Sequence, residues 1–181
     1  HAAELFAQAT RQSAEGSCGV HVEAPRLDFS ETRDWMEGVT GKLRAGVTGL
    51  LEKSGVKSVH GQARFLDGKT VEVMGDTGRS VIRAEYVVIA TGSHPVELPG
   101  LPTGGRILDS TAALALEQPP ETLGVIGAGY IGLELGTAFA KLGTKVTLIE
   151  AADDILPQYD TRLTRPVRRR LDDLGIELRT G

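Results

Sequence analysis

The stretch Leu123–Glu150, LGVIGAGYIGLELGTAFAKLGTKVTLIE, constrains the fold of this chain more than any other. A short apolar run, Leu123 to Ile126, passes without a spacer into Gly127-Ala128-Gly129-Tyr130-Ile131-Gly132, a G-x-G-x-x-G turn. The run reads as a strand buried on both faces. After the turn, Ile131, Leu135, Ala138, Phe139 and Leu142 recur at helical period, and Gly143 is placed to end the helix. Lys145 to Ile149 reads as a second strand that ends in Glu150. Strand, glycine turn, helix and strand in this order are the opening of an α/β unit.

The chemistry of the turn follows from its residue types. The first glycine permits a tight turn, the second lets backbone approach a pyrophosphate, and the third lets the helix pack closely on its strand. Free N–H groups and the positive end of the helix dipole would face the turn. No Lys or Arg occurs between Leu123 and Phe139, so backbone alone would hold a diphosphate. Glu150 stands eighteen residues past the third glycine, where a ribose-binding acid is expected. A carboxylate accepts both ribose hydroxyls of NAD, whereas the 2′-phosphate of NADP brings like charge close to it. At roughly 4 Å and an effective dielectric of about 20, each pair of unit charges costs about 4 kcal/mol, or nearly three decades in affinity. The reading is NAD.

The rest of the chain reads as follows. His1 to about Ser17 is helical in composition. Ser30 is expected to cap a second helix, with Trp35, Val39, Leu43, Val47 and Leu51 at every fourth position and Gly55 closing it. Gly41, Gly46 and Gly49 inside it each cost about 1 kcal/mol relative to alanine, or mark close packing. From Val56 the period changes to two. Lys57–Leu66, Lys69–Met74 and Arg79–Ala84 predict a β-meander, joined by Asp67-Gly68 and Gly75-Asp76-Thr77-Gly78. A buried strand, Tyr86 to Ala90, is expected next and ends in Thr91-Gly92-Ser93, where backbone could approach a ligand at a strand's carboxyl end. Pro95, Pro99, Pro102 and Gly104-Gly105 make a linker, and Ser110 is expected to cap a short helix through Glu117. Beyond Glu150, Asp160 should cap a helix bearing Arg162, Arg165, Arg168, Arg169 and Arg170, with a third strand from Ile176 to Arg179. Neighbouring aspartates make the arginines a solvated helix face rather than a site for an anionic partner.

Composition excludes some functions. A net charge of −4 and a pI near 5.6 argue against nucleic acid or an anionic membrane as the main partner. No apolar run approaches the length of a membrane span and no signal peptide opens the chain, so a cytoplasmic setting is expected. Cys18 is the only cysteine and the four histidines are scattered, so no metal site is assigned.

Several motifs in order carry a resemblance that runs the length of the chain. Ala90-Thr91-Gly92-Ser93-His94-Pro95, then Asp109-Ser110-Thr111, then GVIGAGYIGLELG from Gly124 to Gly136, and finally Val146 to Glu150 resemble the flavin-dependent pyridine nucleotide–disulfide oxidoreductases. Within that family they look like the members that oxidise lipoyl dithiols. The resemblance implies an α/β chain in which residues 1–93 are a partial FAD-binding, Rossmann-like, three-layer domain with the meander as an insertion. Residues 94–118 would be a connector and 119–181 the first half of a second, NAD-binding domain. FAD contacts would fall on Thr91, Gly92 and Ser93 and on backbone near Gly61 and Ala63, and Gly127 to Glu134 would carry the NAD site. Tyr130 matches a residue that can lie over the flavin as a gate, and Glu134 matches an acid that pairs with a lysine beside it. Read from spacing alone, Glu134 belongs with Thr137 and Lys141 to the polar stripe of the helix.

The resemblance also implies a reaction in which a dithiol reduces a cysteine pair, electrons pass to FAD, and hydride goes to NAD. The substrate would be a small dithiol or disulfide, or a lipoyl domain, and the protein a homodimer. The alternatives are a mercuric or other disulfide reductase of the same family, or a catalytically silent dinucleotide-binding module. The family's C-x4-C redox pair and its His-Glu acid/base pair have no counterpart here, and Cys18 matches neither redox cysteine. The chain is therefore expected to be an internal piece of a longer protein, without disulfide oxidoreductase activity of its own and weak in independent folding because apolar sheet edges are left open.

Overall fold

The computed structural model describes residues 1–16, 21 and 23–181. Cys18, and the end of the first expected helix at Ser17, lie outside them. In chain order the elements are α1 (Ala2–Glu15), α2 (Phe29–Lys53), β1 (Gln62–Asp67), β2 (Thr70–Gly75), β3 (Gly78–Arg83), α3 (Ser110–Leu114), β4 (Thr122–Ile126), α4 (Tyr130–Lys141), β5 (Lys145–Glu150), α5 (Thr161–Asp173) and β6 (Glu177–Thr180). The chain divides into two compact units, residues 1–35 with 97–181, and residues 36–96.

In the first unit, β4, β5 and β6 form a parallel sheet in that order, with Val125 opposite Leu148 and Leu148 opposite Leu178. Parallel neighbours need crossovers, and α4 and α5 supply them. Val146 and Leu148 point into a core with Leu133, Phe139, Ile155, Leu171 and Ile176, while Ile126 and Ile149 on the opposite face stay exposed. The expectation of a strand buried on both faces therefore fails for β4, whose residues alternate, because among the described residues the core lies on one face of this sheet only. Of the expected row of α4, Phe139 and Leu142 face the core, while Ile131 is 45% exposed; Leu133 and Gly136 complete the inward stripe. Gly136 faces the sheet, where a Cβ would stand about 3.5 Å from both Leu148 and Val146, an ordinary packing contact. α1 packs on α4 through an ion pair between Glu4 and Lys141.

Capping corrects the expectations at two helices. The Asp28 carboxylate accepts from Ser30 and Glu31 N–H at 3.1 and 3.3 Å, so Asp28, not Ser30, caps α2. Asp109 accepts from Ala112 N–H at 2.7 Å and caps α3 in place of Ser110. A carboxylate one residue before Ser110, or two before Ser30, reaches the free N–H groups that the serine's own position cannot. Asp160 caps α5 as expected, accepting from Arg162 N–H at 2.8 Å.

The second unit holds most of α2 and the antiparallel meander β1-β2-β3. The meander turns where predicted, with Asp67 accepting from Lys69 N–H at 2.8 Å and Gly75 paired with Gly78. Its first strand is shorter than expected and begins at Gln62. Glu72 on the central strand is 6% exposed, held by Arg64 at 2.7 Å and by Arg79, which together keep its carboxyl below the usual carboxylate range. Residues 86–90 form no strand: Tyr86, Val88 and Ile89 are exposed, since no described strand lies beside them to complete a ladder. The apolar row of α2, from Trp35 to Leu51, is likewise exposed, and nothing lies within 4 Å of a Cβ placed on Gly41, Gly46 or Gly49. Those glycines are not packing contacts.

Candidate functional site

The turn between β4 and α4 is built by its glycines in three different ways. Gly127 has φ +98°, a left-handed conformation that side chains with a Cβ resist. A Cβ on Gly132 would stand 2.1 Å from the Gly127 carbonyl oxygen, so the helix can start here only without a side chain. Gly129 differs from both. Its φ is −75° and nothing lies within 4 Å of a Cβ built on it. The protein's own backbone and packing leave that position free for any small residue. What a side chain there would obstruct is the space above the turn.

Gly129 is also the N-cap of α4, and no side chain caps it. The first N–H groups of the helix are left to be satisfied by water or by an anion. Tyr130, 64% exposed, and Ile131 stand beside this opening. Glu134 points to solvent one turn later, the Thr137 hydroxyl donates to its carbonyl, and Lys141 is engaged by Glu4.

Glu150 closes the site from β5. One carboxylate oxygen accepts from Ala128 N–H at 2.7 Å and the other from Ala152 N–H at 2.9 Å. These two N–H groups, Ala152 first, hold its carboxyl below the ordinary carboxylate range against the effect of burial. Ala128 is fully buried, and its carbonyl accepts from Leu156 N–H at 3.2 Å. Gly127 N–H donates to Ile149 at 2.8 Å. Leu156 itself has φ +48°, and Ile155 before it is buried. Spacing singled out Glu150 but not its bond to Ala128, and nothing in the sequence points to Leu156.

The other expected contacts lie in the second unit. Thr91, Gly92 and Ser93 are exposed and irregular, with Gly92 at φ +79°. Ala63 pairs with Val73 in the meander. Gly61 is glycine for a reason internal to the meander, since a Cβ there would meet the Met74 carbonyl at 2.4 Å. Among the described residues no hydrogen bond joins Thr91–Ser93 to Gly61 or Ala63. No group of three or more His, Cys, Asp and Glu among the described residues could hold a metal ion, and no helix is long and apolar enough to cross a membrane.

A parallel sheet whose first crossover begins at an uncapped glycine turn, with an acid at the end of the next strand, defines a dinucleotide-binding α/β protein. The sequence profile of the pyridine nucleotide-disulphide oxidoreductases matches residues 5–181, and the chain belongs to that family. It is 46% identical over 182 aligned residues to a dihydrolipoyl dehydrogenase of Pseudomonas aeruginosa, covering 100% of this chain and 39% of that protein. Against the dihydrolipoyl dehydrogenase of Geobacillus stearothermophilus it is 43% identical, over 90% of this chain and 35% of the relative. The HOCl-induced flavoprotein disulfide reductase RclA from Escherichia coli has a similar structure, with a TM-score of 0.77, 28% identity, and coverage of 99% of this chain and 38% of RclA. The chain thus spans less than two fifths of the length of these relatives.

Proposed function

We propose that this chain supplies the NAD-binding turn and part of the FAD-binding portion of a dihydrolipoyl dehydrogenase. The observation that carries the reading is Gly129, the one glycine of the three that neither backbone conformation nor packing requires. Room for the close approach of a pyrophosphate accounts for it. Gly127, Ala128, Gly129, Tyr130, Ile131 and Gly132 form the cradle, with Glu134 at its rim and Glu150 on the ribose. Thr91, Gly92, Ser93, Gly61 and Ala63 are the FAD contacts on this reading, and they rest on the resemblance to the family. Residues 1–93 belong to the FAD-binding portion, 94–118 connect, and 119–181 bind NAD.

When bound, flavin and nicotinamide supply the transfer of electrons from a dithiol to NAD. The part played by these residues is binding and orientation. The α4 N-terminus neutralises the diphosphate with N–H groups rather than a basic side chain, and the Glu150 carboxylate prefers ribose hydroxyls to a ribose phosphate. The relatives named dihydrolipoyl dehydrogenase support a lipoyl dithiol as substrate, and a homodimer and a cytoplasmic setting are part of the same proposal. The test is an assay of the full-length protein with NAD and dihydrolipoamide beside NADH with glutathione disulfide and with mercuric ion. Turnover with dihydrolipoamide at least tenfold above the others supports the reading. Turnover of mercuric ion or glutathione disulfide alone replaces it with another reductase of the family, and binding of NADH without any turnover replaces it with a silent binding module.

A further inference from the structure

The Glu150 carboxylate is tied to the turn before any ribose reaches it. We infer that Glu150 is also a positioning residue for the pyrophosphate cradle, acting through the Ala128 peptide, so that the acid facing the ribose sets the geometry of the turn that faces the phosphates. The inference rests on the dinucleotide reading of the turn and adds a second role to one of its residues.

The argument is one of peptide planes. In a trans peptide the C=O of one residue and the N–H of the next point in opposite directions. Glu150 draws Ala128 N–H toward β5 at 2.7 Å, so the Gly127 carbonyl must point the other way, to where it bars a side chain at Gly132, 2.1 Å from a Cβ there. Leu156 N–H holds the Ala128 carbonyl at 3.2 Å, so the Gly129 N–H is turned away from Leu156. Both planes flanking the buried Ala128 are thereby fixed by groups at or just beyond the end of β5. If the carboxylate is removed, Ala128 N–H is left buried without a partner and the plane is free to rotate in search of one. Such a rotation would swing the Gly127 carbonyl off Gly132 and disturb the N–H groups at the start of α4.

Two ligands separate this role from direct ribose contact. ADP carries the diphosphate and both ribose hydroxyls, and 2′,3′-dideoxy-ADP keeps the adenine and the diphosphate but lacks both hydroxyls. Binding of each to the full-length protein is measured by calorimetry for the wild type, Glu150→Ala and Glu150→Gln, with amide hydrogen exchange followed across residues 127–129. Glu150→Ala is expected to weaken the dideoxy ligand by about tenfold, to weaken ADP by more, and to accelerate exchange at 127–129. Glu150→Gln keeps one acceptor oxygen and should fall between; it decides the matter if the alanine variant does not fold. Unchanged dideoxy-ADP affinity with weakened ADP overturns the positioning role and leaves the dinucleotide reading standing. If the dideoxy ligand is too weak to measure, unaccelerated exchange at 127–129 overturns the inference. A wild type that binds neither ligand nor NADH removes the dinucleotide reading, and the inference with it.

Discussion

Gly132 lies so close to Gly127 that a Cβ on the first would stand 2.1 Å from the carbonyl oxygen of the second. That oxygen is backbone and cannot swing aside, so Gly132→Ala should lower stability by more than about 2 kcal/mol in urea unfolding. Gly129→Ala should change stability by less than about 0.5 kcal/mol, because its backbone is extended and its surroundings are open. The same variant should weaken NADH by about tenfold or more. Equal NADH affinity in Gly129→Ala and wild type would contradict the cradle.

Cofactor preference should depend on the charge at 150. The wild type is expected to bind NADH well over tenfold more tightly than NADPH, and Glu150→Arg to erase or reverse that ratio. Fluorescence titration of both reduced cofactors gives the ratio directly. A ratio unmoved by the substitution would place the ribose elsewhere.

The same carboxylate has a pH signature. Its acidity is strengthened in the folded state by the Ala152 and Ala128 N–H groups, so its contribution is fully present above the unfolded value of about 4.3. The contribution is lost as pH falls through the lower folded value. The stability gap between wild type and Glu150→Gln should therefore be largest near pH 7 and shrink below about pH 4, as read from urea unfolding across that range. A gap constant down to pH 2.5 would mean that the charge is not what the two N–H groups recognise.

The glycines of α2 offer a test of packing. Nothing approaches a Cβ on Gly46, so Gly46→Ala should stabilise by about 0.5–1 kcal/mol through helix propensity alone. Loss of stability in the full-length protein instead would show that another surface presses on this helix.

At the start of α5 the Asp160 carboxylate accepts from Arg162 N–H at 2.8 Å. Asp160→Ala should cost about 1 kcal/mol, and Asp160→Asn only a few tenths, in the same unfolding measurement.

What the sequence determined by itself is local and periodic: the order of β4, α4, β5, α5 and β6, the meander with both its turns, the three glycines, and Glu150 at its distance from them. Each is set by residue types a few positions apart, whose backbone preferences and alternation need no distant partner to be read. The expected row of α4 holds at Phe139 and Leu142 but misses Leu133 and Gly136, because helical period alone does not fix which of two adjacent rows turns toward Val146 and Leu148. Tyr86–Ala90 has a strand's composition, yet a strand exists only where neighbouring backbone completes its hydrogen bonds, and none does among the described residues. Only the tertiary structure could decide that Glu150 and Leu156 grip the two peptides on either side of the Ala128 Cα. Those bonds join residues 22 and 28 positions apart, and it is the parallel register of β4 on β5 that brings them together.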